Sequence, residues 1–322
     1  MVARHRIAVQ VGMHDPYWVQ VREAVIRHAI QRNVEVVQLG TLTRNITNLQ
    51  LLPHEIDEFF EELLVQDVHG LICNTIAEPL LRRIVARGIP IIDASESFLR
   101  YPLFTSRRGL YDAAHTVGHW LAERLQPDAR VLVVGGYDDM GLSRLMGIKD
   151  ALATVPTIQL IHIPCEWLYH DGVAATEIWV DSDVTPIDAV FGLSDSLASA
   201  GRDVLARHNR LPPHTLITGI NGDPLAMAEI NHGHMHMTVE TVIDSFAAQM
   251  IDLVIYGIQT KQLPATYDPP RRVIERHNVA QMSESIAKVN NAACAKSKPA
   301  SLSPNGSERF SIIASSSTKS VA

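Results

Sequence analysis

The sequence predicts an α/β protein in which two doubly wound parallel sheets follow one another along the chain. The first observation is that short apolar runs alternate with amphipathic helical patterns, which is typical of parallel sheets with helices on both faces. The second is that this alternation pauses near residue 98 and then begins again. The third is that 46% of the 322 residues are hydrophobic and only 6% are aromatic, which favours buried aliphatic strands and leaves enough chain for two cores.

The first unit contains four predicted strands alternating with three predicted helices. On the first helix, Val21, Val25, Ala29 and Ile30 are predicted to form one buried face. Residues 13–18 are predicted to form a turn before that helix. The strands fall at residues 6–12, 34–39, 70–74 and 89–93, and the helices at residues 19–32, 53–66 and 78–87.

The second unit repeats the alternation and is followed by a segment of different composition. Its predicted helices are residues 109–125, 141–153, 172–180 and 196–209, and its strands are residues 130–134, 158–163, 188–192 and 216–220. A further strand at residues 235–240, a helix at residues 243–256 and a last strand at residues 271–275 come after them. Residues 277–290 are predicted to form a short helix. Residues 291–322 are rich in Ser, Lys, Ala, Pro and Asn, which predicts disorder.

Polar residues stand directly after two apolar strands of the second unit. Ser194 and Asp195 follow one strand, and Asn221 and Asp223 follow the next. Small ligands bind at the carboxyl ends of parallel strands, so these side chains are candidates for a binding crevice. Asp195 and Asp223 also precede helical runs and are predicted to serve as N-caps.

Composition restricts the partners and the compartment. A net charge of −7 and a pI near 6.1 argue against a general nucleic-acid or membrane-surface binder. The absence of 18 consecutive apolar residues argues against a membrane-spanning helix. The first strand starts near Arg6 with no apolar leader, and Cys73, Cys165 and Cys294 are odd in number and widely spaced. We therefore expect a cytoplasmic protein, with the periplasm as the alternative if a leader has been removed.

The residues at these strand ends resemble those of a known superfamily. Ser194-Asp195 opens a helix rich in small residues, and Gly219-Ile220-Asn221-Gly222 ends the following strand. In these features residues 5–280 resemble the type I periplasmic-binding-protein superfamily, which includes ribose- and galactose-binding proteins and the sensor domains of lactose-repressor-type regulators. The resemblance implies two lobes joined by three hinge crossings. It places residues 1–106 and 241–262 in the first lobe, residues 107–240 and 263–282 in the second, and residues 283–322 in an exit helix and tail.

The resemblance implies ligand-binding residues in the first lobe. Asp15, Tyr17 and Trp18 stand where the family has an Asn-Pro-Phe-Phe turn, whose aromatic pair packs on a sugar ring. Aromatic rings suit the apolar C–H face of a sugar, and a carboxylate accepts hydrogen bonds from its hydroxyls. The alternative is a structural turn with its aromatic side chains buried under the first helix. Asp93 follows the fourth strand near a family ligand pair in slightly different register.

In the second lobe the resemblance singles out an arginine and a tryptophan. Arg144 matches the family pattern Arg-x-x-Gly, in which the guanidinium donates to the ring oxygen and hydroxyls of the ligand. Trp167 follows the second strand, where an aromatic residue of the family closes over the ligand. The alternatives are a surface arginine near a helix start and a hydrophobic lid.

The other candidates come from the strand ends and the hinge. Ser194, Asp195 and Asn221 are implied ligand contacts, together with Glu240 at the second crossing. At the first crossing Arg108 replaces a family acid or amide, which leaves room for a ligand with a carboxylate or phosphate. An exposed arginine pair is the alternative.

Metal, cofactor and catalytic sites are not expected. His232, His234 and His236 would share one face of a strand, but no carboxylate or cysteine partner is evident, so a polar edge is the favoured interpretation. The sequence has no Gly-rich phosphate loop, nucleophile elbow or Cys-His pairing at recognised spacing. An α/β enzyme is therefore the least favoured class.

The function implied by the resemblance is a sensor domain that closes on a sugar or sugar derivative and signals to an output module. The first strand begins near Arg6, whereas regulators of this family carry an N-terminal helix-turn-helix, so we expect no direct nucleic-acid binding. The alternatives are the solute-binding protein of a sugar transporter and the effector domain of a transcriptional regulator. A homodimer is compatible with each.

Overall fold

A four-stranded parallel sheet forms the first half of the fold. The computed structural model describes residues 4–11, 16–37, 39, 53–73, 77–94, 107–262 and 269–281. The strands are β1 (Arg6–Gln10), β2 (Glu35–Val37), β3 (Gly70–Cys73) and β4 (Ile91–Asp93), and the helices are α1 (Pro16–Gln31), α2 (Pro53–Val65) and α3 (Glu78–Ala86). The strand order is β2-β1-β3-β4, and all pairings are parallel.

Side chains of this sheet point alternately to two separate cores. Ile7 and Ile72 belong to a cluster with α1, whereas Ala8 and Leu71 belong to a cluster with α2 and α3. Successive residues of a strand face opposite sides of a sheet, so the nearly continuous apolar strands require helices on both faces. This arrangement confirms the doubly wound first unit.

A six-stranded sheet forms the second half. Its strands are β5 (Arg130–Val134), β6 (Gln159–Ile163), β7 (Ala189–Gly192), β8 (Leu216–Asn221), β9 (Met237–Thr241) and β10 (Arg271–Glu275). The order is β10-β9-β8-β7-β5-β6, and β10 alone among these described strands is antiparallel to its neighbour. The helices are α4 (Arg107–Ala122), α5 (Asp139–Leu152), α6 (Tyr169–Val180), α7 (Asp195–Arg207) and α8 (Pro224–His232).

The last long helix, α9 (Ile243–Thr260), follows β9 but packs on the first sheet. Arg27 on α1 donates to Asp244 at 2.9 Å, and Arg32 donates to Asp252 at 2.8 Å. The chain then returns to the second sheet as β10, which pairs with β9. The α/β fold of two doubly wound lobes joined by three crossings is therefore confirmed.

Two adjacent helices of the second lobe touch at their backbones. A Cβ atom on Gly147 of α5 would lie 2.3 Å from the Tyr111 carbonyl oxygen of α4, and one on Gly118 would lie 2.5 Å from the Cβ of Ala151. The glycine of the Arg-x-x-Gly pattern is thus explained by helix packing, and this packing fixes the position of α5.

Some sequence predictions were wrong in detail. Helix α1 begins at Pro16 rather than at residue 19, because proline suits the first helical position. Tyr17 and Trp18 therefore lie in a helix and not in the predicted turn. Val21, Val25 and Ala29 are buried as predicted, but Ile30 is 66% exposed, because it lies a further 100° around the helix from Ala29.

Several predictions fall outside the described residues. These include Asp15, the side chain of Arg108, Cys294 and the exit helix and tail at residues 283–322. Within the described part of the chain, no helix is long and apolar enough to cross a bilayer.

Candidate functional site

The guanidinium of Arg144 reaches across the carboxyl ends of two neighbouring strands. Its helix, α5, starts directly after the β5 loop, where Asp138 is the N-cap and accepts the Gly141 amide at 2.8 Å. Arg144 Nη1 donates to the carbonyl oxygen of Leu193, which follows β7. Arg144 Nη2 donates over 3.5 Å to Oδ1 of Asn221, the last residue of β8. The structure thus places Arg144 and Asn221 together at the strand ends where the sequence predicted a crevice.

The indole of Trp167 lies beside the same guanidinium. The Arg144 Cζ atom is 5.3 Å from the centre of the ring, and Trp167 Nε1 donates to Oδ2 of Asp138 at 2.8 Å. This cation–π geometry and the indole hydrogen bond hold the half-buried ring in one orientation. Asp138 therefore connects the start of α5 to the loop before α6.

The start of α7 differs from the sequence prediction by one residue. The N-cap is Ser194, whose hydroxyl accepts the Leu197 amide at 3.4 Å, so the prediction that Asp195 caps this helix was wrong. Asp223 caps α8 as predicted, by accepting the Ala226 amide at 2.9 Å.

Asp195 is buried and surrounded by donors. Its Oδ2 accepts the amides of Gly222 at 2.7 Å and Asp223 at 3.0 Å, and its Oδ1 accepts the Thr238 hydroxyl at 2.7 Å. Burial, followed by the nearby Asp223 carboxylate, raises the pKa of Asp195 to about 8, while the three donors oppose this rise. Both oxygens of the side chain serve contacts within the protein, although Asp195 was predicted to contact ligand.

Glu240 is also engaged inside the second sheet. Its side chain is 6% exposed and forms a two-point ion pair with Arg272 of β10, including a bond of 3.0 Å from Arg272 Nη2 to Oε1. The two residues are direct partners in the β9–β10 register. A buried carboxylate requires such a partner.

The first-lobe candidates lie with the first sheet. Tyr17 is 9% exposed and belongs to its core, and the partly buried Trp18 packs against that core with its ring centre 5.0 Å from that of Tyr17. The fully buried Asp93 ends β4 beside Cys73, its partner in the register. Burial, and secondarily the Asp93 charge, raises the pKa of the Cys73 thiol well above its usual value. Both aromatic side chains pack on this core from within α1 and not from a turn, and their contact with a ligand stays a prediction.

Two residues of this arrangement were missed in the sequence. Asp138 could have been found, because an Asp after a strand and just before a helical run is an N-cap signal. Arg272 could not, because its pairing with Glu240 depends on the antiparallel register of a strand 32 residues away.

The histidines before β9 have separate partners. His236 Nδ1 accepts the Ile217 amide at 3.0 Å, while His234 Nδ1 lies 3.2 Å from Glu229 Oε2. Across the part of the chain that the structure describes, no cluster of three or more His, Cys, Asp or Glu side chains could hold a metal ion.

The fold of this chain is similar to that of solved structures of sugar-binding proteins. No protein-family model matches the sequence, and no curated protein matches it significantly. A solute-binding protein from Actinobacillus succinogenes 130z with bound D-allose has a TM-score of 0.71 at 17% identity, covering 87% of this chain and 100% of its own. The arabinose-binding component of a Shewanella sp. ANA-3 transporter, bound to L-arabinofuranose, has a TM-score of 0.73 at 17% identity, with 92% and 100% coverage.

A third similar structure comes from a signalling protein. The fructose-binding periplasmic domain of a hybrid two-component system has a TM-score of 0.73 at 17% identity, covering 91% of this chain and 99% of its own. At such identities the similarity concerns the fold. Together with the two doubly wound sheets and the return of α9 to the first of them, it shows that this chain has the type I periplasmic-binding-protein fold.

Proposed function

We propose that the chain binds a small polyhydroxylated molecule, a sugar or sugar derivative, between its lobes as a solute-binding protein rather than as an enzyme. The observation that carries this proposal is the cluster of Arg144, Trp167 and Asn221 at the carboxyl edge of the second sheet. A guanidinium and a carboxamide suit a rim of hydroxyls, and an indole face suits the apolar side of a sugar ring. Ligand contacts by both lobes would favour the closed state over the open one.

The similar structures support the transporter alternative over a cytoplasmic sensor. Two of those reported above are solute-binding or transporter components with bound sugars. We therefore favour the periplasm over the cytoplasm expected from the sequence. Unpaired thiols are compatible with an oxidising compartment when they react slowly. Cys73 is fully buried, and burial, with Asp171 and Glu166 nearby, raises the pKa of Cys165 to about 11.

A sensor input domain is the second candidate. The likeness to the fructose-binding periplasmic domain of a two-component system favours it specifically. In that case ligand-driven closure would act on an output module. The transcriptional-regulator alternative rests on the sequence resemblance alone, and a homodimer stays a prediction.

A thermal-shift screen tests the proposal. The panel should contain D-allose, L-arabinose, D-fructose, sugar acids and sugar phosphates, since a ligand that binds only the folded state raises the melting temperature. We expect one class to stabilise the protein and Arg144→Ala to abolish the shift. The control Arg87→Ala, at an exposed position of the first lobe, should preserve it. If no member stabilises the wild type, or if Arg144→Ala responds as the wild type does, the proposal is wrong.

A further inference from the structure

The buried carboxylate of Asp195 fixes the turn between β8 and α8 from one side. Two consecutive amides of that turn, those of Gly222 and Asp223, donate to the same oxygen, Oδ2. The other oxygen accepts the Thr238 hydroxyl from β9. The fit is close, because a Cβ atom on Gly219 would lie 2.4 Å from Asp195 Oδ1. One side chain thus joins the start of α7 to the turn and to β9.

The turn itself adopts a backbone conformation that needs such support. Asn221 has a φ of +129°, which is unfavourable for a residue with a side chain, and Gly222 follows with a φ of +72°. A Cβ atom on Gly222 would lie 2.4 Å from the Cβ of Glu240. A conformation of this kind persists only when its surroundings impose it. Here the carboxylate of Asp195 and the packing of Glu240 impose it together.

The conformation of the turn decides where the Asn221 side chain points. Its Oδ1 accepts Nη2 of Arg144, whose guanidinium in turn lies over Trp167. A shift of the turn would therefore move the carboxamide away from the guanidinium and alter two groups of the candidate site. The effect would reach them through the backbone, because the oxygens of Asp195 bond to the turn and to β9.

We propose that Asp195 is a positioning residue, whose carboxylate holds the turn after β8 so that Asn221 meets Arg144. Its effect on affinity rests on the proposed ligand site, whereas its effect on the turn does not. This role differs from the direct ligand contact that the sequence resemblance implied for Asp195.

The test compares two variants that remove different bonds of the same carboxylate. Asp195→Ala removes the acceptor of both turn amides, whereas Thr238→Val removes only the β9 hydroxyl and keeps its shape. NMR hydrogen exchange of the Gly222 and Asp223 amides reports the turn, and the Asn221 side-chain amide resonances report its contact with Arg144. Calorimetric titration with D-allose, L-arabinose and D-fructose reports binding.

We expect Asp195→Ala to speed exchange of both amides by at least roughly ten-fold and to shift the Asn221 resonances. The affinity for a bound sugar should fall by roughly 10- to 100-fold, since buried amides lose their acceptor. Thr238→Val should leave the amides protected and the affinity within about three-fold, because it removes one neutral donor. Asp195→Asn, which keeps an oxygen for both amides, should restore most of the protection.

Two results would overturn the positioning role. One is unchanged exchange and unchanged Asn221 resonances in Asp195→Ala. The other is that Thr238→Val loses as much affinity and as much melting temperature as Asp195→Ala. That result would show that affinity follows the general stability of the fold and not the position of the turn. If the wild type binds none of the three sugars, the proposed function fails for them, while exchange and the Asn221 resonances still decide the role. Should Asp195→Ala not fold, Asp195→Ser, which is too short to reach both amides, replaces it.

Discussion

One carboxylate, Asp138, serves both the start of α5 and the indole of Trp167. Its Oδ1 accepts the Gly141 amide and its Oδ2 accepts Trp167 Nε1, each at 2.8 Å. The N-cap fixes the helix that carries Arg144, and the second bond fixes the ring beside that guanidinium. Asp138 thus sets the relative position of Arg144 and Trp167, which the sequence suggested as two independent candidates for ligand contact.

We expect Asp138→Ala to destabilise the protein by about 1 kcal/mol, the usual cost of a lost N-cap. It should also shift tryptophan fluorescence, because the indole loses its acceptor. Thermal unfolding and emission spectra measure the two effects. Asp223→Ala removes a comparable cap on α8 and should cost similar stability without the spectral shift. Persistence of the shift in a Trp167→Phe background would show that another tryptophan is responsible.

Two residues predicted to contact ligand have partners within the protein, for one physical reason. The sequence placed Asp195 and Glu240 among ligand contacts, and the structure engages Asp195 with backbone amides and Glu240 with Arg272. A buried carboxylate at a strand end needs donors, and these can come from a ligand or from the protein itself. The sequence cannot separate these two sources of donors, because the same residue type stands at the same place after a strand whether a ligand or the protein supplies them.

At the scale of elements, the crossing of α4 and α5 sets where the second lobe presents Arg144. The helices approach so closely that Gly147 lies against the Tyr111 carbonyl and Gly118 lies against Ala151. This approach explains why a glycine follows the arginine at a distance of three residues, since a side chain there would collide with α4.

Gly147→Ala should destabilise the protein by about 1–3 kcal/mol, the usual cost of overpacking a close contact. The new methyl group would lie 2.3 Å from a backbone oxygen, which cannot move away as a flexible side chain could. Urea unfolding measures the loss. The matched control is Met146→Ala, because the Met146 side chain lies on the same helix and is 59% exposed. This substitution should change stability by no more than about 0.5 kcal/mol. Equal stability of Gly147→Ala and the wild type would show that the helices separate readily.

At the scale of the whole molecule, two carboxylates give stability opposite dependences on pH. Asp244 on α9 pairs with Arg27 and His28 of α1. Partial burial acts to raise the pKa of Asp244, but these two partners outweigh it and lower the pKa below 3.8. Its contribution is present above that value and is lost as the pH falls through the folded pKa. Asp195 has a pKa raised from 3.8 to about 8, so its contribution is complete at low pH and declines as the pH rises towards about 8.

We therefore expect Asp195→Asn to flatten the decline of stability between a pH of 3.8 and about 8, and Asp244→Asn to flatten the loss of stability below a pH of 3.8. Melting temperatures recorded across both ranges measure the two effects. Each variant is the control for the other, because the residues lie in different lobes. An unchanged slope between a pH of 3.8 and about 8 in Asp195→Asn would show that the pKa of Asp195 is not raised.

The sequence by itself determined the α/β class, the two successive sheets and the position of polar residues at the ends of β7 and β8. These features depend on local periodicity and on short-range signals such as the Asp223 cap, which any stretch of the chain carries by itself. Only the tertiary structure decided that Arg144, Asn221 and Trp167 meet and that Arg272 neutralises Glu240. Those contacts join residues distant in the chain, and they depend on strand register, helix crossing and burial, which arise only when the elements pack.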